Sequence, residues 1–231
     1  MKYAILAAGE GSRLAQEGVE LPKPLVKLNG EAMMDRLIRI FMDNDAEEIV
    51  VITNNLTTLT QEHVRSLQAQ GLPLRLIVKT TPSSMHSFYE LRPYLGDGKF
   101  CLTTVDTIFR EHEFKEYIEA FRQCDYDGLM AVTDYIDDEK PLYVAVDSQM
   151  NVTGFYDAAC EDSRYISGGI YCLDSKAFAV LDECIGRGMS RMRNFQRQLV
   201  ADGLHLKAYP FSKILDVDHA EDMAKAEDFL R

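Results

Sequence analysis

Residues 6–25 read LAAGEGSRLAQEGVELPKPL, and the rest of the chain is organised around them. Just before, Tyr3-Ala4-Ile5-Leu6 is short and apolar enough for a buried first strand. The chain then passes through Ala7 and Ala8 to Gly9 and Gly11, two residues without a Cβ, where it turns tightly and brings backbone N–H groups close to a ligand. Arg13 follows, and Pro22-Lys23-Pro24 holds a lysine between two prolines. Successive N–H groups in such a turn bind phosphate oxygens, and the two cations offset charge developing on phosphorus. A glycine turn after a strand is by itself more often only a turn. The prolines tip the balance, because they stiffen the backbone around Lys23, and a solvated lysine seldom needs that. The stretch suits a triphosphate.

Two better-known phosphate loops are excluded. A Walker A loop ends in Gly-Lys-Ser/Thr, which is absent, and the dinucleotide fingerprint wants a third glycine where Leu14 stands. LAAGEGSRL followed by PKPLVKLNG instead resembles the signature of the sugar-phosphate nucleotidyltransferases, also called nucleotide-sugar pyrophosphorylases. The resemblance implies that Leu6, Ala7, Ala8, Gly9 and Gly11 form the nucleotide loop, with Arg13 and Lys23 as the catalytic cations, Lys23 beside the reacting phosphates.

At 231 residues the chain is long enough for a substantial core, and one domain over 1–231 is the economical expectation. A net charge of −12 argues against a nucleic-acid surface, whose footprint is basic. Phosphates must then be attracted locally, by cations such as Arg13 and Lys23, against an adverse overall field. The five cysteines include no Cys-x-x-Cys spacing, so neither a zinc site nor a disulfide framework is indicated. Cys101, Cys172 and Cys184 read as small buried hydrophobes. Neither a signal peptide ahead of Met1-Lys2-Tyr3 nor a membrane-length apolar run is seen, so a cytoplasmic protein without a membrane partner is expected. A homo-oligomer is compatible with the sequence.

Up to residue 124 strands alternate with helices. Glu48–Thr53, Leu74–Val78 and Lys99–Val105 read as strands, and segments carrying Met34/Leu37/Phe41, Val64/Leu67, Phe88/Leu91 and Phe114/Tyr117/Phe121 read as helices. A short strand over Leu25–Leu28 is stopped by Asn29-Gly30. From Gly128 the pattern changes: Leu129–Thr133, Leu142–Val146 and Gly169–Leu173 are strands without long helices between them, as in an antiparallel edge or flap. Leu206–Phe211 is a last strand and Ala220–Leu230 a last helix. The expected fold is α/β, a Rossmann-like, mixed but mostly parallel sheet flanked by helices, with a small antiparallel flap.

Three acidic features stand out. Asp106 directly follows an apolar strand, and a carboxylate at the carboxyl end of a parallel strand points into the crevice where ligands gather. Asp216 and Asp218 are two apart, so on an extended segment their carboxylates lie on one side. Asp218 also suits a cap for the last helix, with Glu221 as its capping-box partner. Asp134, Asp137, Asp138 and Glu139 read as a solvated loop. The resemblance implies that Asp106 and an aspartate of the Asp216-Val217-Asp218 element hold Mg2+, with Asp218 as the ligand and Asp216 beside it. Two carboxylates plus triphosphate oxygens and water complete a magnesium shell.

Lys79-Thr-Thr-Pro82-Ser-Ser84 stands where the family reads the base with Gln-x-x-Pro-x-Gly, so Lys79, Pro82 and Ser84 are the candidate base contacts. Ser167-Gly168-Gly169-Ile170-Tyr171 is similar to an Asn-Ala-Gly-Ile-Tyr strand whose glycine, here Gly169, packs against the acceptor. The two glycines also suit a plain β-bulge. The family's Glu-Lys-Pro ahead of that strand is missing, which leaves Arg164 to meet the acceptor phosphate. The expected partners are a nucleoside triphosphate and a small phosphorylated acceptor, a sugar 1-phosphate or else choline phosphate or an alditol phosphate. Two rivals exist. A glycosyltransferase would use Asp216-Val217-Asp218 as a metal-binding Asp-x-Asp and release a nucleoside diphosphate, and a silent nucleotide sensor would have no need of Arg13, Lys23, Asp106 and Asp218 together.

Overall fold

The computed structural model describes residues 1–137, 139–161 and 163–231; Asp138, part of the acidic loop, lies outside the described residues. Nine strands form one sheet: β1 (Lys2–Ala7), β2 (Ile49–Thr53), β3 (Leu74–Val78), β4 (Lys99–Thr104), β5 (Gly128–Thr133), β6 (Tyr143–Val146), β7 (Val152–Tyr156), β8 (Tyr165–Asp174) and β9 (Leu206–Phe211). Five of the six residues of β1 are buried, as in a strand covered on both faces. It pairs in parallel with β2 on one side and β4 on the other, and β3 continues the parallel run beyond β2.

β8 runs against this direction and is inserted between β4 and β5. β5 and β9 again pair in parallel. β5 and β8, expected at an edge or flap, therefore belong to the body of the sheet. The periodicity misleads because no helix separates β5 from β6. What remains flap-like is β6 with β7, paired antiparallel to each other and attached through β6 to the first residues of β8.

Helices cover both faces. On one, α4 (Ser84–Leu95), α6 (Ala177–Gly186) and α7 (Met192–Ala201) bring Phe88, Leu91 and Phe195 onto Phe100 and Leu102. On the other, α2 (Met33–Asp43), α3 (Thr58–Ala69) and α5 (Glu111–Gln123) pack Phe41, Val64, Phe114 and Phe121 around Tyr3 and Val51. A third, smaller cluster joins Leu14 of the five-residue α1 (Ser12–Gln16) and Val26 to Val217 and to Ala226 of α8 (Ala220–Leu230). It seats residues 12–28 against the last helix. No helix among the described residues is long and apolar enough to cross a membrane.

The expected strand over Leu25–Leu28 is shorter. Lys23–Leu25 forms a 3-10 turn, and Lys27–Leu28 pairs with Glu31–Ala32 around Asn29 (φ 49°) and Gly30 (φ 89°). That is the doubly left-handed turn favoured by Asn-Gly in tight hairpins. At Gly168-Gly169 the register of β8 against β5 shifts, so the bulge is real, and Gly169 sits at φ +72°. A Cβ on Gly169 would come within 2.9 Å of Thr107 Oγ1, and one on Gly168 within 2.2 Å of Ile214 Cδ1.

Candidate active site

Parallel strands aligned in register end together. Leu6 of β1 lies opposite Ile52 of β2 and Thr104 of β4, so the segments after β1 and β4 leave the sheet side by side. A cleft of about 450 Å³ opens there. Leu6, Ala7, Ala8, Gly9 and Gly11 form one wall, Thr81, Pro82, Ser83, Ser84 and Ser87 another, and Arg13, Lys23, Thr104, Asp106 and Asp218 the floor. Asn54, at the end of β2, steadies the glycine loop by donating from its amide to the Ala8 and Gly9 carbonyls, both at 3.2 Å.

Gly11 is left-handed (φ +62°), and a Cβ placed on it would lie 3.0 Å from Lys23 Cβ. The glycine loop and the Pro-Lys-Pro segment thus touch, and glycine is what the contact allows. Leu25 N–H donates to the Pro22 carbonyl at 2.8 Å, closing the turn that presents Lys23. The Lys23 ammonium contacts Asp106 Oδ2 and lies 2.6 Å from Asp218 Oδ1, while an Arg13 guanidinium nitrogen donates to Asp218 Oδ2 at 3.0 Å. Burial alone would lower the Lys23 pKa, but the Asp106 and Asp218 carboxylates outweigh it and hold the ammonium well above the ordinary lysine value. Partial burial favours the protonated form of Asp218, yet the Lys23 ammonium, with help from Arg13, keeps its carboxyl below the usual range.

Asp218 is not the cap of α8. His219 occupies that position, and Asp222 Oδ2 accepts from the backbone N–H of both His219 (2.8 Å) and Asp218 (3.2 Å). Glu17, within the opening stretch, accepts from Ala220 N–H and from His219 Nδ1, both at 2.6 Å. Two carboxylates therefore sit at the positive end of α8, and Asp218 is left to face the cleft.

A second pocket of about 600 Å³ shares Arg13 and Asp218 with the first. Ser167 and Gly168 of β8 line it, with Asp137 and Glu139 of the β5–β6 loop, Arg193 of α7, Asp216, and Asp222 and Lys225 of α8. The loop read as merely solvated thus contributes to a wall. Asp137 meets Lys225 at 3.1 Å. Asp216 lines this pocket, not the first cleft, and accepts from Thr107 Oγ1 at 3.3 Å.

Three expected contacts lie elsewhere. Lys79 forms an ion pair with Glu90 at 2.8 Å and is not among the residues lining the cleft. Arg164 is largely exposed, pairs with Asp134 at 3.2 Å, and does not line the second pocket. Gly169 faces Thr104 and Thr107, so Gly168 is the glycine on the pocket wall. Arg193 stands where Arg164 was expected. One signal for it was visible: Arg193 and Arg197 are four apart on an amphipathic helix, and in the structure both converge on Asp157.

The family model described as "Nucleotidyl transferase" matches residues 2–231, and the chain belongs to this family. Among curated proteins, it is 24% identical over 245 residues to the bifunctional protein GlmU of Alkaliphilus metalliredigens, covering 100% of this chain and 52% of that one. It is 26% identical over 241 residues to the bifunctional IPC transferase and DIPP synthase of Aquifex aeolicus, covering 98% and 51%. The chain thus spans about half the length of these relatives. Among solved structures, the inositol-1-phosphate CTP transferase of T. maritima superposes with a TM-score of 0.81 at 20% identity, covering 100% of this chain and 97% of that one. At that identity the likeness speaks for the fold.

Proposed function

We propose that the chain transfers a nucleotidyl group from a nucleoside triphosphate to a small phosphorylated acceptor and releases pyrophosphate. One observation carries the reading. Arg13, Lys23, Asp106 and Asp218 meet at the junction of two pockets, beside a glycine loop at the carboxyl ends of parallel strands. A triphosphate fits the first pocket, with backbone N–H groups around Gly9 and Gly11 on its phosphates, Arg13 on the β/γ charge and Lys23 on the α-phosphate. The acceptor fits the second.

An acceptor phosphate oxygen forms a bond to the α-phosphorus as the bond from that phosphorus to the bridging oxygen breaks. Pyrophosphate leaves with the electron pair. A phosphate monoester is already anionic at neutral pH, so no general base is required, and the protein's task is positioning and charge neutralisation. Asp106 and Asp218 are oxygen donors that converge on a single point, which fits a hard divalent ion such as Mg2+. Bound there, magnesium would offset negative charge on the phosphates. On the acceptor side Arg193 is the cation assigned to the acceptor phosphate, among lining cations that also include Lys140 and Lys225.

A sugar 1-phosphate is the first candidate acceptor. The pocket also carries six carboxylates, from Asp137, Glu139, Asp216, Asp218, Glu221 and Asp222, and this favours choline phosphate as the second. The test is a screen of five nucleoside triphosphates against sugar 1-phosphates, an alditol phosphate and choline phosphate, read by pyrophosphate. Release of nucleoside diphosphate instead, or no pyrophosphate with any pair, overturns the reading.

A further inference from the structure

Asp106, in the turn after β4, and Asp218, on the approach to α8, each direct one oxygen at the same atom, Lys23 Nζ. An ammonium and a small divalent cation compete for such a place, since both are compact and take oxygen ligands. The Lys23 side chain is only 13% exposed, so it covers the carboxylates as well as pairing with them. Its stem is fixed by the prolines on either side and by the contact with Gly11, which leaves the ammonium end as the part free to swing.

Two further facts bear on what a cation meets. The central groups, Asp106, Asp218, Arg13 and Lys23, sum to zero charge, so they exert little net pull on a cation. Nor is there, among the described residues, a group of three or more His, Cys, Asp or Glu able to hold a metal ion. Two carboxylates leave most of the roughly six oxygen positions of magnesium to water and phosphate. A triphosphate brings both the missing oxygens and the missing negative charge.

We propose that the Lys23 ammonium stands in for the divalent cation in the free protein, so that the ion binds only together with the triphosphate, whose oxygens draw the ammonium off the carboxylates. The inference rests on the nucleotidyl-transfer reading above, but its test needs no turnover. The protein is titrated with Mn2+, and the ion retained with the protein is measured by equilibrium dialysis, for the wild type and Lys23→Met. Inorganic tripolyphosphate serves as the base-independent phosphate probe.

Wild type should bind Mn2+ weakly when alone, and Lys23→Met should bind it about tenfold more tightly or better, because an uncompensated carboxylate pair is left behind. Tripolyphosphate should strengthen Mn2+ binding by wild type far more than by the variant. Addition of Mn2+ should raise the melting temperature of Lys23→Met and leave wild type almost unmoved. The proposal is overturned if the variant binds no more tightly than wild type. It is equally overturned if wild type alone binds Mn2+ as well as it does with tripolyphosphate, a result independent of how the variant folds. Failure of the pyrophosphate screen with the competition intact would remove the reaction and keep the stand-in; turnover without competition would do the reverse.

Discussion

The glycine-loop cleft and the second pocket share Arg13 and Asp218, yet they are built from different materials. The cleft is mostly backbone and small residues, from the glycine loop after β1, residues 81–87 at the start of α4 and the end of β4, with Lys23 and Asp218 added from elsewhere. The second pocket is mostly charged side chains, brought together from the β5–β6 loop, β8, α7 and the segment entering α8. Recognition by backbone demands particular residues at fixed spacing, because only glycine tolerates the required φ and approach. Recognition by long charged side chains demands only that they arrive at one place, and many sequences achieve this. On the proposed reading the first kind would hold the part of a ligand common to all triphosphates, and the second would be free to vary with the acceptor.

Four measurements can break or sharpen this contrast. Lys23→Ala, in the cleft beside the shared Asp218, should lower turnover by about 10²–10³ through loss of a preorganised charge. Retention of wild-type turnover would end the assignment of Lys23 to the reaction. Next come the aspartates. Asp218→Asn and Asp106→Asn should each cost roughly 10–100-fold in activity across a magnesium titration. Asp216→Asn should cost less, because that carboxylate faces the acceptor pocket and Thr107. A more damaging Asp216→Asn would move the metal role two residues back.

On the acceptor side, Arg193→Gln should raise the acceptor KM by about tenfold while the KM for triphosphate stays put, as expected for loss of one charge-assisted hydrogen bond. Arg164→Gln should change neither. If Arg164→Gln shows the larger effect, Arg193 is only a structural partner of Asp157. The smallest effect concerns acid. Asp218 titrates below its ordinary value in the folded protein, so its contribution to stability is present above that value, near pH 4, and is lost as pH falls through the lowered one. Melting curves of wild type and Asp218→Asn should therefore differ at neutral pH and converge in acid; a gap that stays constant would show that the Lys23–Asp218 pair contributes nothing.

The same contrast explains what the sequence made legible. β3, β9 and α8 fall where periodicity places them, although only β9 buries more than one residue, Leu206, Ala208 and Phe211, while β3 buries Leu74 alone and α8 Ala226 alone. Gly11 and the lysine between prolines were readable because backbone geometry restricts what stands there: Gly11 is left-handed and its Cβ position abuts Lys23, whereas Gly9 has open space around it. The position of β8 was hidden: nothing in Tyr165–Asp174 says that it enters between β4 and β5 and not at an edge. Lys79 and Arg164 were assigned by position in a motif, and each is held instead by a nearby carboxylate, Glu90 and Asp134. Spacing along the chain carries no information about which acidic partner a long side chain meets after folding. The cap of α8 missed by one residue: the capping box pairs His219 with Asp222, where Asp218 and Glu221 were expected.

The contact between Lys23 and Asp218 spans 195 residues. On a ribosome the glycine loop and its lysine emerge early, while the aspartate that completes their charge emerges only after every strand of the sheet has been made. Through most of synthesis the nascent chain thus carries a phosphate loop whose Arg13 and Lys23 have yet to meet Asp218. A nascent chain released just before residue 218 would contain every strand of the sheet in its sequence and lack the aspartate shared by the two pockets.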